Sequence, residues 1–427
     1  MSNQKRRVVI TGIGTLTACG IGYESLWKTA LAGRSAIREL SDFSSNGSPI
    51  RVGGEIPNFR PEEFIKTRKS LKVMSRDIQL AVAASVLAMA DSGIVLEQID
   101  PTRAGVVLGS GLINNELEEI GAGIKESFDE EGKFQLKRFG RDGIRALYPL
   151  WLLKYLPNMP ACHISILHGL KGPNNTLTTS STGCIQAIGE ASRVIEREDA
   201  EVMLAGASDS KLNPLGLSRL HLLGLLSQRN HVPEQVYRPF DRHRDGMVVG
   251  EGAGIFVLEE REHALRRGAK IYGEITGYGA RFHSQVESMR VALEEAGQTP
   301  HSISFIHANG SGIPKEDIEE AESLSRVFGN ERDRIPVTAS KSVTGHLVDA
   351  VGAAELSLSL LSLQNQTLPP VVNLEMPDQE CPLNFVREKP LELEARTFLL
   401  HGFGLGGQSA ALVVSKNGTF PNVPGLR

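Results

Sequence analysis

The stretch RDIQLAVAASVLAMADSG (residues 76–93), followed by RAGVVLGSG (residues 103–111), decides the fold class. Its first part carries apolar residues at spacings of three and four and ends in glycine, which predicts a helix with a glycine stop. The second part is a short aliphatic run between glycines, typical of a buried strand. Similar runs occur at RRVVITGIG, AEVMLAGAS, GAGIFVLEE, SISFIHANG and SAALVVSK. Strands that alternate with helices predict an α/β protein with buried sheets.

The two halves of the chain also resemble each other. Each contains a strand that ends at a polar, glycine-bearing turn and is followed by a helix of small residues, TGCIQAIGEASRVIE in the first half and GHLVDAVGAAELSLSLLSL in the second. We therefore place a boundary near residues 256–275. This divides the chain into an N-terminal half (1–260), a C-terminal half (261–415) and a tail (416–427). The charged segment 126–140 predicts either an exposed, solvated loop or a cap.

Composition argues against several classes of protein. The formal net charge of −4 gives no overall attraction to nucleic acid. The four cysteines form no CxxC pair, which argues against a disulfide scaffold and a cysteine-based zinc site. No apolar window is long enough to span a membrane, and MSNQKRRVVITGIG is typical of a strand entering a turn rather than of a signal peptide. We expect a cytoplasmic protein without a metal site.

Three separated segments carry candidate chemistry. GPNNTLTTSSTGCIQAIGEA places hydroxyl side chains before a helix, whose N-terminus stabilises negative charge. The same residues are also typical of helix N-caps. FIHANGSGIPKEDIEEAE places Asn309 in a turn after a strand. TASKSVTGHLVDAVGAAE places Lys341 and His346 ahead of a small-residue helix, and the turn that carries His346 would hold its ring in a fixed direction.

In this order, these segments resemble the β-ketoacyl-acyl-carrier-protein synthases, specifically the type II condensing enzymes of fatty-acid and polyketide synthesis. The resemblance runs almost end to end, through VVITGIGTLTACGIG, EVMLAGASDSKLNPLG, YRPFDRHRDGMVVGEGAGIFVLEE, SKSVTGHLVDAVGAAE and HGFGLGGQSAALVV. It implies a thiolase-like fold, in which two similar α/β halves stack in five αβαβα layers. Such proteins are normally dimeric, with the site where the halves meet.

The resemblance also implies which residues form the site. Where the family has cysteine, as in TACTSG, this chain has TSSTGC, which puts Ser181 at the nucleophile position and leaves Cys184 to helix packing. The family's AHGTST is ANGSGI here, so Asn309 replaces the first catalytic histidine. Lys341 and His346 match the family pattern.

Two further parts of the pattern surround these residues. Asp317 and Glu320 fall on the family's acidic positions. The glycine-rich loop, usually GFGGTN, corresponds to Phe403, Gly404, Leu405 and Gly406, with the gate phenylalanine replaced by Leu405. The Thr-Asn pair of the family becomes Gln408 and Ser409.

These substitutions favour impaired condensation. A serine hydroxyl is a weaker acid than a thiol and needs a general base, whereas decarboxylation needs donors around an enolate oxygen, which His346 and Asn309 can supply. Three functions remain open. The first is a chain-length-factor-like partner subunit or a decarboxylating, non-elongating synthase. The second is a serine-dependent acyltransferase or slow synthase, and the third is a non-catalytic scaffold.

The resemblance implies acyl carrier protein as a partner, with its phosphopantetheine as the substrate arm and no bound cofactor. It also implies a homodimer, or a heterodimer with a cysteine-containing ketosynthase, and neither nucleic acid nor membrane as a partner. The run FIKTRKSLKVMSR places Lys66, Arg68, Lys69, Lys72 and Arg76 within two or three helical turns. Basic residues there would steer an acidic carrier protein, although a solvated helix face explains them equally well.

Overall fold

The computed structural model describes residues 6–41, 49–113 and 115–418. The predicted tail therefore lies outside the described residues from 419 onward. The β-strands of the described part are, in chain order, β1 Val8–Thr17, β2 Gly20–Ile21, β3 Arg38–Glu39, β4 Val52–Gly53, β5 Ala104–Gly109, β6 Asn174–Leu177, β7 Val202–Ser210, β8 Glu251–Glu260, β9 Gly273–Phe282, β10 Phe305–His307, β11 Val337–Thr338, β12 Thr367–Leu368, β13 Leu391–Glu392, β14 Thr397–Phe403 and β15 Gln408–Ser415.

The α-helices of the same part begin and end at the following residues: α1 Tyr23–Leu31, α2 Arg68–Leu71, α3 Arg76–Ser92, α4 Leu117–Lys125, α5 Leu136–Arg138, α6 Ile144–Ala146, α7 Met159–His168, α8 Gly183–Glu196, α9 Pro214–Leu222, α10 Arg261–Arg266, α11 Gln285–Glu295, α12 Pro314–Phe328, α13 Lys341–Thr344 and α14 Ala353–Asn365. Two short 3-10 turns, Ser180–Thr182 and Val348–Ala350, lie close to the residues discussed below.

The main sheet uses one strand order twice. Strands of the first half pair in the order β6-β5-β7-β8-β1, and those of the second in the order β11-β10-β14-β15-β9. The first three strands of each series are parallel and the rest antiparallel. The two series join where the start of β1 pairs with β9. The topology therefore repeats, and the chain passes from the first series to the second between Glu260 and Gly273.

Two helices lie between the halves of the sheet. α8 contacts β5 and β7 on one side and β9 and β15 on the other, and α14 contacts β8 and β14. α3 and α7 cover the outer side of the first half, while α11, with α12 packed on it, covers the second. The predicted five-layer αβαβα arrangement is confirmed. A helix covered on all sides must be apolar all round, which explains the small and aliphatic composition of α14.

The sequence predicted that the chain turns at the glycines near the N-terminus, and this prediction is wrong. β1 continues through Gly12 and Gly14 to Thr17. A Cβ atom on Gly12 would come 2.4 Å from the carbonyl oxygen of Ala88, and one on Gly14 would come 1.9 Å from that of Ala84. Both glycines are therefore needed because α3 packs directly on the strand backbone.

The charged segment 126–140 has local structure of its own. Phe128 forms an antiparallel bridge with Phe134, α5 follows, and the chain continues into a π-helical turn, Phe139–Gly143. Among the described residues, no helix combines the length and the apolar character that a membrane crossing requires.

Candidate active site

Ser181 lies in the turn directly ahead of α8. Ser180 has a left-handed backbone with φ +52°, and this turn leads the chain into the helix. Thr182, at the N-cap position, makes no side-chain bond to the helix N–H groups; its Oγ1 donates to the carbonyl of Thr179 at 2.9 Å. Within the described residues, the Ser181 hydroxyl has no hydrogen-bond partner. The N-cap interpretation of these hydroxyls is therefore wrong, and Ser181 is left buried but unpaired.

Cys184 is the second residue of α8 and is fully buried in the core between the two halves. Burial raises the pKa of its thiol, so the thiolate does not form readily despite the nearby helix N-terminus. The thiol contributes to packing, as the alignment of TSSTGC predicts.

Lys341 fixes the orientation of the Asn309 side chain. Its Nζ donates to Asn309 Oδ1 at 3.1 Å and also to the Asn309 carbonyl oxygen. Because lysine is a donor only, the amide must present its oxygen to Lys341 and its Nδ2 elsewhere. Nδ2 is buried and has no partner among the described residues. Asn309 therefore keeps an unused N–H donor in the site.

Glu355, which none of the sequence motifs singled out, balances the charge of Lys341. The two form a buried ion pair with 2.9 Å between Nζ and Oε1. Burial acts to raise the pKa of Glu355, but Lys341 and His307 together lower it to about 2. Glu355 is the only charged residue in α14, and a lone charge in an otherwise apolar helix is the signal that could have identified it.

His346 is a neutral hydrogen-bond donor. The backbone N–H of Val348 donates to Nδ1 at 3.0 Å, so the neutral ring carries its proton on Nε2. Burial, and then the charge of Lys341, lower the pKa of His346 to about 3. Its backbone is held by hydrogen bonds with Val248 (2.7 Å) and Gly250 (2.9 Å). These contacts fix the ring with Nδ1 occupied and with the proton on Nε2.

Contacts around the end of β14 bring the three segments together. A Cβ atom on Gly404 would lie 3.4 Å from the Ser181 nitrogen and 3.7 Å from its Oγ. The turn Val348–Ala350, which follows His346, contacts the turn that holds Ser181. Asn309 is linked to β14 through Glu320, which accepts hydrogen bonds from the Asn309 N–H and from His401. The site thus combines Ser181 from the first half with residues of the second.

Both acidic residues support the turn that carries Asn309. Glu320 accepts from the backbone N–H groups of Asn309 (2.7 Å) and Gly310 (2.9 Å). Asp317 accepts from the N–H of Gly312 at 3.0 Å and lies 3.2 Å from Arg244 Nε. Burial raises the pKa of Asp317 to about 7 against the lowering effect of its backbone donors and Arg244. Their carboxylates act on backbone groups and do not form a metal site; among the described residues, no cluster of His, Cys, Asp and Glu is arranged to hold a metal ion.

The glycine-rich loop forms a tight turn between β14 and β15. Gly404 N–H donates to the Gln408 carbonyl, and Gly407 N–H donates to the Gly404 carbonyl, both at 2.9 Å. Phe403 is buried beside the ring of His401, at 5.6 Å between centroids. The side chain of Leu405, at the tip with Gly406, is 57% exposed. Its role as a substrate gate stays a prediction.

The predicted basic run is exposed but is not one helix. Lys66, Arg68, Lys69 and Lys72 all lie at the surface. α2 covers only Arg68–Leu71, and the chain breaks before α3 begins, so the expectation of two or three continuous helical turns is wrong. Arg76, at the end of the run, pairs with the buried Glu251 at 2.7 Å.

Comparisons with known proteins agree with this architecture. The family described as β-ketoacyl synthase, N-terminal domain, matches residues 5–264, and its C-terminal domain matches residues 269–375. The 3-oxoacyl-[acyl-carrier-protein] synthase 2 of Coxiella burnetii is 34% identical over 425 residues, which cover 97% of this chain and 99% of that protein.

Two solved structures are also similar to this chain. The ishigamide ketosynthase/chain length factor superposes with a TM-score of 0.86 at 27% identity, covering 97% of this chain and all of that one (100%). The second is a type II polyketide synthase acyl carrier protein in complex with its ketosynthase bound to the hexaketide. It superposes with a TM-score of 0.83 at 26% identity, with coverage of 97% and 100%.

Proposed function

The chain belongs to the β-ketoacyl synthase family, and within that family we propose a non-elongating role: it releases CO₂ from a malonyl thioester without storing an acyl group on Ser181. The observation that carries this proposal is the unpaired Nδ2 of Asn309, a buried donor held in place by Lys341. A buried N–H group without an acceptor costs about 1–3 kcal/mol, and a substrate oxygen would remove that cost.

The neutral His346 supplies a second donor through Nε2. In decarboxylation, the bond between the malonyl carboxyl carbon and the methylene carbon breaks, and its electron pair moves toward the thioester carbonyl, giving an enolate oxygen. CO₂ leaves, and a proton from water then converts the enolate into an acetyl thioester. Asn309 and His346 stabilise the negative oxygen as it forms, which is the function of an oxyanion hole.

The same contacts argue against nucleophilic attack by Ser181. A serine nucleophile needs a base that accepts its proton. Nδ1 of His346 is occupied by the Val348 N–H, its Nε2 already carries a proton, and burial keeps the ring from titrating near neutral pH. His346 therefore does not serve as a base for Ser181, and the serine-dependent acyltransferase is the less favoured alternative.

We assign the substrate to a phosphopantetheine arm on an acyl carrier protein. The relative from Coxiella burnetii is named for an acyl-carrier-protein substrate, and one structural neighbour is a carrier protein bound to its ketosynthase. The exposed Lys66, Arg68, Lys69 and Lys72 give an acidic carrier protein an attractive surface, and the approach would weaken as ionic strength rises.

A partner role is supported by an exposed apolar surface. β6 is at one end of the strand order, with Asn174 and Asn175 exposed. The part of the chain between β5 and β6 exposes several apolar side chains, namely Leu112, Phe128, Phe134, Leu136, Ile144, Tyr148, Leu150, Leu152 and Ile166, and α7, which carries Ile166, contacts β6. Edge strands and apolar patches of this kind are usually covered in an assembly. We propose that a second chain covers them, either another copy or a cysteine-containing ketosynthase that supplies the thiol for condensation.

The decisive experiment measures CO₂ release from malonyl-acyl carrier protein. Asn309→Asp keeps the shape of the side chain and an oxygen for Lys341 but removes the Nδ2 donor, so we expect a loss of about 100- to 1000-fold. His346→Ala should lose a similar factor. CO₂ release should survive Ser181→Ala, and intact mass spectrometry should detect no acyl adduct on the wild-type chain.

The opposite pattern would support the alternatives. An acyl adduct that disappears in Ser181→Ala, together with loss of activity in that variant, would establish the serine-dependent transferase. A chain that releases no CO₂ alone but forms a stable complex with a cysteine-containing ketosynthase, and sets its product length, would be a chain-length-factor-like subunit. A chain that neither releases CO₂ nor forms an acyl adduct, and that does not set the product length of a partner, would be a non-catalytic scaffold.

A further inference from the structure

A buried group of charged side chains lies beside the turn that carries His346. Asp209 lies at the end of β7 and Lys211 directly after that strand, and Asp349 lies three residues after His346; all three are buried. Lys211 Nζ lies 2.9 Å from Asp349 Oδ2 and also pairs with Asp209 Oδ1. The other oxygen of Asp209 accepts the backbone N–H of Asp349 at 2.9 Å. Asp209 therefore holds the backbone of the turn, and Lys211 pairs with both Asp209 and Asp349.

The backbone of this turn is strained. Val348 has a φ of +43°, a left-handed conformation that a β-branched residue rarely adopts. Such a conformation is energetically costly and persists only where the surrounding contacts determine it. The hydrogen bond from Asp349 N–H to Asp209 fixes the next peptide unit, and the bond from Ala350 N–H to the Leu347 carbonyl, at 2.8 Å, closes the turn.

The strained conformation places the N–H of Val348 against Nδ1 of His346. If the turn relaxed, this N–H would turn away, and the ring would lose the contact that keeps its proton on Nε2. The side chains of Lys211 and Asp349 have little freedom to move. Lys211 also donates to the Leu112 carbonyl at 2.9 Å, and the carboxylate of Asp349 packs against Gly111.

We propose that Asp209, held in place by Lys211, is a positioning residue that fixes the Val348 turn through the Asp349 N–H and thereby keeps His346 in the Nε2–H form. The effect of Asp209 on the rate of CO₂ release rests on the proposed function, whereas its effect on the tautomer of the His346 ring does not. Buried charged groups are costly to desolvate, and a specific geometric role of this kind explains why this turn contains them.

The test compares the ¹⁵N resonances of His346 in the wild type, Asp209→Ala and a matched control, Glu295→Ala. His346→Gln assigns the signal among the 11 histidines. Glu295 also accepts a backbone N–H, from Tyr278 at 3.0 Å, and pairs with Arg193. Arg193 lies near the end of α8 that is farther from Ser181. We expect a single Nε2–H form in the wild type and the control, and averaged tautomers in Asp209→Ala.

The rate of CO₂ release supplies the second readout. Asp209→Ala should lower kcat at least tenfold with little change in KM, whereas Glu295→Ala should leave kcat unchanged. If Asp209→Ala does not fold, Asp209→Asn is the second variant, because its single acceptor oxygen faces two donors, the Asp349 N–H and Lys211 Nζ. It should shift the ¹⁵N resonances of His346 in the same direction but by a smaller amount. A wild-type ring signal in every folded Asp209 variant, or an equal shift in the control, would overturn the proposal. Absence of CO₂ release in all proteins would refute the proposed function alone.

Discussion

Removing the charge of Lys341 should destabilise the protein strongly, and removing its partner as well should restore part of the loss. Lys341→Met leaves Glu355 buried, with the Gly352 N–H as its remaining strong donor at 2.9 Å. Removing one partner of a buried ion pair costs about 3–5 kcal/mol in total, a figure that includes the contacts of the lost side chain. In Lys341→Met with Glu355→Gln, the neutral amide still accepts from Gly352, and the main loss is the lysine–Asn309 contacts, about 2 kcal/mol. The double variant should therefore be more stable than Lys341→Met by about 1–3 kcal/mol.

Urea denaturation followed by circular dichroism measures these differences through the unfolding midpoint. Lys133→Met is the control, because Lys133 pairs with Glu131 at an exposed position and its loss should leave the midpoint unchanged. A double variant that loses the sum of the two single effects would show that the ion pair does not couple these residues. The same variants also test the site, since a chain without Lys341 no longer fixes the Asn309 amide.

Two further predictions concern His346 and Cys184. Burial and Lys341 lower the pKa of His346 to about 3 from its ordinary 6.5, so the folded state binds fewer protons than the unfolded chain between these values. The stabilisation is complete above pH 6.5 and is lost as pH falls toward 3. At pH 5 it is reduced by about 2 kcal/mol, and His346→Gln should remove that part of the acid sensitivity, as urea titrations at pH 7 and pH 5 would measure. Iodoacetamide should not alkylate Cys184 in the folded protein at pH 8, because burial raises the pKa of its thiol, but should alkylate it in urea; peptide mass spectrometry that finds rapid native labelling would contradict this account.

Much of the fold could be predicted from short-range pattern. Helix α3 and strand β5 follow directly from apolar spacing, and the two small-residue helices indicated a repeat that the strand order contains. The extent of β1 could not be predicted, because Gly12 and Gly14 serve the close packing of α3, and that contact joins residues far apart in sequence. β14 was missed for a related reason: TFLLHGF ends in a glycine-rich loop, and its strand character depends on its neighbours β10 and β15.

The identities of the candidate site residues came from the resemblance, but their states required the structure. That Asn309 presents nitrogen rather than oxygen depends on Lys341, 32 residues away. That His346 carries its proton on Nε2 depends on the backbone of Val348, and no side-chain pattern encodes a backbone angle. The sequence shows Asp209 and Lys211 as charged residues at the end of an apolar run. It does not show that they contact Asp349, which lies 140 residues from Asp209. Which atoms of Asn309 and His346 donate hydrogen bonds is therefore determined by the tertiary structure, not by the local sequence.

The packing of Gly404 against Ser181 has a consequence for the order of folding. Ser181 lies near the middle of the chain, whereas the backbone that covers it comes from the last strand pair, β14 and β15. During synthesis the first strand series can form early, because all its strands precede Gly273. Gly404 cannot pack against Ser181 until the final hairpin has joined β9 and β10. A nascent chain would therefore be largely folded but without its site until its last strands emerge.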